Sequence, residues 1–459
     1  MARLLNSLRQ FVGLGQSSSP AIPTSRFGRS IDTDFSFFRE GDRVIVHGKN
    51  PLLTKPLRRG QKSDVRRGKL QHDQIIGRRV RDRVQAQKGP DYRLTLPTLD
   101  EYVALTPRLV TPIYAADASL IVSLLDIHVA QPGDGDTTHQ PLEILESGTG
   151  HGSLTLQLSR AIQAANSLPP PIPAASQVKH LERRPIRPDE TETNSSPQTP
   201  IGTDKEVDPV QQTWDTWRAE RKAIIHTVDV SPKFSAHAET IVRGFRRGIY
   251  AGNVDFYVGP AENWIAEQIR RRTPIPSTFS LTKLHQTPEP FLTHAILDMP
   301  SANLRIPYVT PILKRDGILA VFMPSVTQIG ECVDLIRKQN LPLVLEKAVE
   351  LGSGISSGRL WDVRFAVKKS RADPSSWTKS DETVVDTEPE SETETGAATE
   401  ESSVSSSGEE TLIEQTETEA QAKEPESALV CRPKVGTRIV GGGFVGIWRR
   451  VEDFPNTQS

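Results

Sequence analysis

The chain has 459 residues, enough for two domains of ordinary size plus linkers. Hydrophobic residues make up only 36%, and the 35 prolines outnumber the 31 glycines, so the folded part is smaller than the whole. The net charge of −1 conceals a basic N-terminal region and an acidic C-terminal one; the two cysteines, Cys332 and Cys431, exclude a disulfide framework or a cysteine zinc site, no metal is implied, and no apolar run is long enough to span a membrane.

Residues 1–31 contain Arg3, Arg9, Arg26 and Arg29, several serines and no acid. Leu4, Leu5, Leu8, Phe11 and Val12 share one helical face opposite Arg3 and Arg9, which predicts a mitochondrial transit peptide. A basic tail, such as that of a nuclear protein, is the alternative. Over residues 37–96, short apolar runs such as Val44-Ile45-Val46 and Gln74-Ile75-Ile76 alternate with glycine and polar residues and predict a small β-rich domain. Between Arg43 and Arg83 it has thirteen Lys or Arg against Asp64, Asp73 and Asp82. That excess reads as an RNA phosphate surface; a solubilising face is the plainer alternative.

From residue 102 to 369, and again at 430–450, apolar strands alternate with helical periodicity, the pattern of a parallel α/β sheet. Strands are expected at residues 142–147, 224–230, 254–258, 294–298 and 317–323, and helices at 153–165, 232–246 and 325–338. Two stretches lack apolar periodicity and read as disordered insertions: 167–212, rich in Pro, Thr and Ser, and 372–427, with no Lys or Arg between Lys379 and Lys423. The acidic one is read as a solvated spacer, with an autoinhibitory mimic of RNA phosphates as the other possibility. Ile439, Val440, Phe444, Val445, Ile447 and Trp448 predict a last strand that closes the sheet.

The chemistry gathers at strand ends. Leu142 to Ser147 runs into Gly148-Thr149-Gly150-His151-Gly152-Ser153, a strand-to-helix turn whose glycines permit close backbone approach to a ligand. The spacing is not the G-x-G-x-x-G of dinucleotide sites. Glu146, just before the glycines, suits a positively charged ligand and not a pyrophosphate, which points to the sulfonium of S-adenosylmethionine. Asp229 ends the next strand, where a carboxylate takes both ribose hydroxyls; its alternative is a helix N-terminal acid. Asp298, in Leu297-Asp298-Met299-Pro300, is the catalytic candidate. Adenine N1 attacks with its own lone pair, so the base needs placement more than activation, and a carboxylate on its N6 amino group orients it and offsets the developing charge. A helix cap is the competing role for Asp298. Tyr114 is placed to stack on a base, with a core tyrosine as the default.

These stretches together resemble the tRNA (adenine-N1)-methyltransferase family, in its catalytic-subunit branch acting on the T-loop adenosine conventionally numbered 58. The resemblance runs through Phe38-Arg39-Glu40-Gly41-Asp42-Arg43-Val44, His72 to Gly77, Tyr114 to Ser119, Glu146 to Thr155, Leu297 to Pro300, Phe322 to Ser325 and Arg432-Pro433. It implies an α/β, Rossmann-like class I S-adenosylmethionine-dependent methyltransferase sheet with a small N-terminal β-barrel-like domain. By the same resemblance Glu146, Gly148, Thr149, Gly150, Gly152 and Ser153 hold the methionine part of the cofactor, Asp229 its ribose, and Asp298, which also counts among the cofactor-binding residues, holds the target adenine with Tyr114. It further implies tRNA as partner and a tetramer, either homotetrameric or formed with a non-catalytic subunit. The chain departs from the family at Pro112 (usually Gln), Ala302-Asn303 (usually Pro-Trp), Gly441-Gly442 (usually His-Thr) and Gly259-Pro260, where many relatives carry an acid for the cofactor adenine and only Glu262 is near. Competing readings are a non-catalytic tRNA-binding subunit, which has no need of the glycines and both acids, and a small-molecule methyltransferase, which has no need of a basic domain.

Overall fold

A computed structural model describes residues 31–48, 50–130, 140–181, 208–273, 288–352 and 442–451, with the backbone of 361–367 and 427–433. The leader expected over 1–31 and the acidic stretch expected over 372–427 lie outside these residues apart from the last position of each.

The N-terminal domain is β-rich, as its sequence predicts. β1 (Ile45–Val46), β2 (Leu52–Leu53), β5 (Arg83–Gln85) and β6 (Asp91–Thr95) form a sheet of order β2-β1-β6-β5, beside a hairpin of β3 (Lys62–Asp64) and β4 (Lys69–Gln71). Phe38, Val44, Leu57, Leu70, Ile75, Val84 and Leu94 fill its core. Ile75 reaches that core from a turn and not from a strand. His72–Gln74 is a 3-10 turn pinned by His72, whose imidazole accepts from the Arg58 amide and bonds Ser63 Oγ at 2.8 Å. Of the twelve described cations between Arg43 and Arg83, eleven are exposed, and Arg83 lies directly opposite Arg93 in the β5–β6 register.

A capping box between Thr98 and Glu101 starts α1 (Leu99–Leu105), and α2 (Ala115–Leu124) follows. Beyond them lies the expected α/β, Rossmann-like sheet, of order β13-β16-β12-β11-β7-β9-β10-β8. Its strands are β7 (Leu142–Ser147), β8 (Lys179–His180), β9 (Ala223–Asp229), β10 (Val254–Val258), β11 (Leu292–Leu297), β12 (Leu313–Met323), β13 (Leu343–Glu350) and β16 (Phe444–Arg450). The strands from β8 to β12 run parallel, and β16 runs antiparallel to both β12 and β13. Both faces are covered, so the central strands are apolar throughout. Ile144, Ile225, Phe256, Ile296 and Ile447 face α3 (Ser153–Ile162) and α5 (Pro232–Gly244), together with α1 and α2. Leu145, Val228, Tyr257, Leu297 and Trp448, an odd number of residues along each strand, face α6 (Ala261–Arg272), α7 (Ile306–Val309) and α8 (Val326–Lys338).

Three expectations need correction. The stretch 167–212 is ordered at both ends. Glu239 and Arg243 of α5 satisfy its polar backbone, accepting from Gln177 N and donating to the Pro173 and Ala175 carbonyls. β8 pairs with β10, and α4 (Pro209–Ala219) begins before residue 212 and buries Trp214 and Trp217. The last strand does not close the sheet: β16 is inserted between β12 and β13, and β13, with its mostly exposed Val-Leu-Glu-Lys pattern, forms the edge. Finally, β14 (Trp361–Val367) and β15 (Ser427–Pro433) pair with each other antiparallel and belong to a separate compact unit, although residues up to 369 and from 430 were expected in the sheet domain.

The sheet edge away from the glycine turn carries a buried ion network. Arg221 grips Asp255 with two bonds of 2.9 and 3.0 Å, Arg218 joins from α4, and His226 bridges to Glu143, itself held by Arg272. Burial pushes Asp255 up, but Arg221 and Arg218 outweigh it and hold the carboxyl far below its ordinary range. Asp255→Ala, which strands two buried guanidinium groups, is expected to cost about 3–5 kcal/mol in urea denaturation; a loss under about 1 kcal/mol, the worth of a surface pair, would refute this account.

Candidate active site

The ends of β7, β9, β10 and β11 are laced together by backbone bonds. Asp298 N donates to Ser147 O at 2.8 Å, Gly148 N to Val228 O at 2.9 Å and Gly259 N to Asp229 O at 2.9 Å. This brings Glu146, Asp229 and Asp298, which stand far apart in sequence, to one edge of the sheet. The turn over that edge has Gly148 at φ +98°, Gly150 at +53° and Gly152 at +82°. Gly148 is the tightest: a Cβ there would lie 1.8 Å from the Asp298 carbonyl oxygen.

Glu146 is fully buried. Thr155 Oγ1 donates to its Oε2 at 2.7 Å, while its Oε1 has no partner among the described residues. Burial pushes its carboxyl up to about 8, Asp298 and Asp229 add to this, and the Thr155 and Thr227 hydroxyls oppose it. Asp229 accepts from Gly150 N at 3.0 Å and Ser231 N at 2.8 Å, so it braces the turn and the start of α5 together. Asp298 is half-buried, and its carboxyl has no hydrogen-bond or ion-pair partner among the described residues. Burial, with Asp229 second, pushes it up to about 7. The helix cap weighed for Asp298 is not formed: Ser301, in the left-handed region at φ +54°, precedes the next helical turn.

The remaining sequence candidates are placed as follows. Thr149 Oγ1 bonds Thr227 Oγ1 at 2.7 Å and Ser153 Oγ donates to Ile113 O, so both hydroxyls are engaged inside the protein and their backbone amides are the groups left to a ligand. The Ser153 bond draws the segment before Tyr114 along the turn, where Val110 lies 3.7 Å from a Cβ built on Gly150. Tyr114 is half-buried and starts α2; Arg108 lies over its ring at 5.4 Å and donates to its hydroxyl at 3.3 Å. Among the departures, Pro112 and Ala302 are buried, Pro260 precedes α6, and Gly442 faces open space. Glu262 pairs with Arg305 at 2.9 Å. Gly441 lies outside the described residues.

Two features escape sequence reasoning. Leu181, within the first insertion directly after β8, sits 3.0 Å from a Cβ built on Gly259 and covers the strand end beside Asp229; a polar insertion gives no signal of this. His151, a histidine between two glycines, is the only trace of the other. It is buried against His237 of α5, with ring nitrogens 3.3 Å apart, and burial pushes it down to about 4, so it is neutral at physiological pH. Among the described residues no cluster of three His, Cys, Asp or Glu is placed to hold a metal, and no helix is long and apolar enough to cross a membrane.

The chain is similar to tRNA (adenine(58)-N(1))-methyltransferase TrmI of Thermus thermophilus, 24% identical over 310 residues that span 66% of this chain and 81% of the relative. It is also similar to the catalytic subunit TRM61 of the tRNA (adenine(58)-N(1))-methyltransferase of Candida albicans, 25% identical over 130 residues, 28% of this chain and 35% of the relative. No family model matches. Among solved structures, it aligns with the tRNA (m1A58) methyltransferase TrmI of Aquifex aeolicus at 14% identity and a TM-score of 0.43, covering 91% of this chain and 99% of that one. A Thermotoga maritima SAM-dependent O-methyltransferase aligns at 12% identity and a TM-score of 0.46, covering 91% and 95%.

Proposed function

We propose that the chain transfers a methyl group from S-adenosylmethionine to N1 of an adenine in tRNA, at the T-loop position 58. The observation that carries the reading is the grouping of Glu146, Asp229 and Asp298 around a glycine turn, with no Lys or Arg paired to any of them among the described residues. Such an edge suits a cation and repels a pyrophosphate. The strand order, with an antiparallel strand inserted next to the edge, is that of class I methyltransferases, and the sequence similarity to TrmI and TRM61 supports the substrate.

The cofactor supplies an electrophilic methyl group when bound. This chain's own part is placement. Gly148, Gly150 and Gly152 let the backbone close around the ligand, Asp229 receives ribose hydroxyls on the lone pairs left by its two amide bonds, and buried Glu146 contributes negative charge beneath the turn. Asp298 accepts from the adenine N6 amino group, which turns N1 toward the methyl donor and stabilises the positive charge appearing on the base. The exposed cations of the N-terminal domain, including Arg83 facing Arg93 with like charge, hold RNA phosphates.

The reading is tested by incubating the protein with methyl-labelled S-adenosylmethionine and unmodified tRNA, followed by nucleoside mass spectrometry. 1-Methyladenosine at position 58 supports it. Binding of tRNA without transfer, even with candidate partner subunits added, would replace it with a non-catalytic tRNA-binding subunit. Assembly as a tetramer, of one subunit or with a non-catalytic partner, and import into mitochondria belong to the same proposal; mass photometry reports the first, and a fluorescent fusion of residues 1–35 reports the second, diffuse fluorescence ending it.

A pH effect follows from the two raised carboxyls. In the free protein Glu146, near 8, is mostly protonated at neutral pH and Asp298, near 7, about half so; a bound cation favours their charged forms and so brings out the negative charge of Glu146. Cofactor binding is therefore expected to release protons and to tighten by up to about tenfold per pH unit per proton released as pH rises through this range. Calorimetry in buffers of different ionisation enthalpy measures the release; proton uptake would contradict the assignment.

A further inference from the structure

Arg246 and Arg247, in the connection between α5 and β10, both occupy the left-handed region, at φ +46° and +58°, which side-chain-bearing residues adopt only under constraint. The constraint is visible. All five N–H donors of the Arg247 guanidinium are used on the N-terminal domain: Nε and Nη2 reach the two Asp42 oxygens at 2.9 Å, Nη2 reaches Phe37 O at 2.9 Å, and Nη1 reaches Asp32 O and Asp34 O at 3.0 Å. The same guanidinium lies 5.0 Å from the Phe35 ring, which Arg246 also covers while donating to Pro97 O.

What Arg247 holds is the support of the basic surface. Residues 36–38 bond to the backbone of 77–80, the stretch bearing exposed Arg78 and Arg79, through Phe38 N to Arg78 O, Gly77 N to Phe38 O and Val80 N to Ser36 O. At its other end Arg247 is joined to α5, a rod of thirteen residues, about 20 Å long, whose first turn is braced by Asp229 through Ser231. One helix therefore ties the cofactor acid to the domain that carries the phosphate-binding charge.

Resting on the proposed function, we propose that Arg247 is a positioning residue. It sets the distance and angle between the basic domain and the Asp229–Asp298 edge, so that a folded tRNA is gripped by its phosphates while one base enters the site. A lysine cannot replace it, since one ammonium cannot span five separated acceptors.

The test compares dissociation constants of Arg247→Ala, Arg247→Lys and Asp42→Asn for an intact unmodified tRNA, for an isolated T-arm hairpin and for S-adenosylmethionine. Asp42→Asn keeps the side-chain shape and serves if the arginine variants fail to fold. Intact tRNA, held at two linked places, is expected to weaken by about tenfold or more in all three variants. Hairpin and cofactor affinities, and amide-exchange protection of β1 and β6, are expected to stay at wild-type values. If intact tRNA and hairpin weaken together, or neither weakens, the proposal is overturned. Wild-type protein that favours intact tRNA yet transfers no methyl group would end the functional reading and leave the binding ratio to decide the clamp.

Discussion

Asp298→Ala is expected to lower kcat for methyl transfer to tRNA by about 10²–10³-fold, the usual effect of removing one preorganised electrostatic partner of a transition state. The basis is its isolation: a half-buried carboxyl one residue past the C-terminal end of β11, the strand that pairs with β7, with no side-chain bond among the described residues. Asp298→Asn separates its two roles. The amide oxygen still accepts from the adenine amino group but carries no charge, so this variant is expected to fall between Ala and wild type. The pH profile adds a second check. Wild-type kcat/KM should climb as Asp298 ionises near pH 7 and Glu146 near 8, and the Asp298 part of this rise should vanish in the Asn variant.

The same residue predicts an effect on stability of the opposite sign. Because its pKa in the folded chain is raised, the folded state holds this proton more tightly than the unfolded one, and stability falls as pH rises from the ordinary carboxylate range through about 7. Asp298→Asn should therefore melt higher than wild type at pH 8 and alike at pH 4. A variant that lost both activity and thermal stability at pH 8 would show Asp298 to be a structural acid.

Gly148→Ala is the second large effect. The added Cβ would meet the Asp298 carbonyl oxygen at 1.8 Å and sit on a backbone with φ +98°, so either the turn or the end of β11 must move. Overpacking and the left-handed backbone together are expected to cost about 2–4 kcal/mol, and cofactor binding should be lost because both displaced segments carry its contacts. Gly150→Ala is the control. Its nearest neighbour would be Val110 at 3.7 Å, which leaves only the backbone strain of about 1 kcal/mol. Equal stability of the two variants in denaturant titration would mean that the close approach at Gly148 is not what requires glycine.

Much of this architecture is legible in residue type and order alone. The central strands are apolar because both faces are covered, which makes β7, β9, β10 and β11 conspicuous, and helices such as α5 and α8 announce themselves through Ser231 and Ser325 at their N-caps. The glycine turn and the three acids are equally legible, because tight turns and strand-end carboxylates depend on residue type. The edge strand β13 is not, since exposed Glu346 and Lys347 break the apolar pattern on which strand recognition rests. The ordered first end of the first insertion escapes notice for a related reason: its polar backbone is satisfied by Glu239 and Arg243, partners more than sixty residues away.

The sequence by itself determined the class of the fold, the glycine turn, the acids around it and the basic character of the first domain, because each follows from local residue type or periodicity. Only the tertiary structure decided which partners those residues have. Among the described residues it buried Glu146 with one oxygen unpaired and left the Asp298 carboxyl without a partner; it also turned the Thr149 and Ser153 hydroxyls inward, threaded β16 between β12 and β13, and fastened the basic domain through Arg247. Pairing and burial are set by residues distant in the chain, and they govern the charge state and reach of each group.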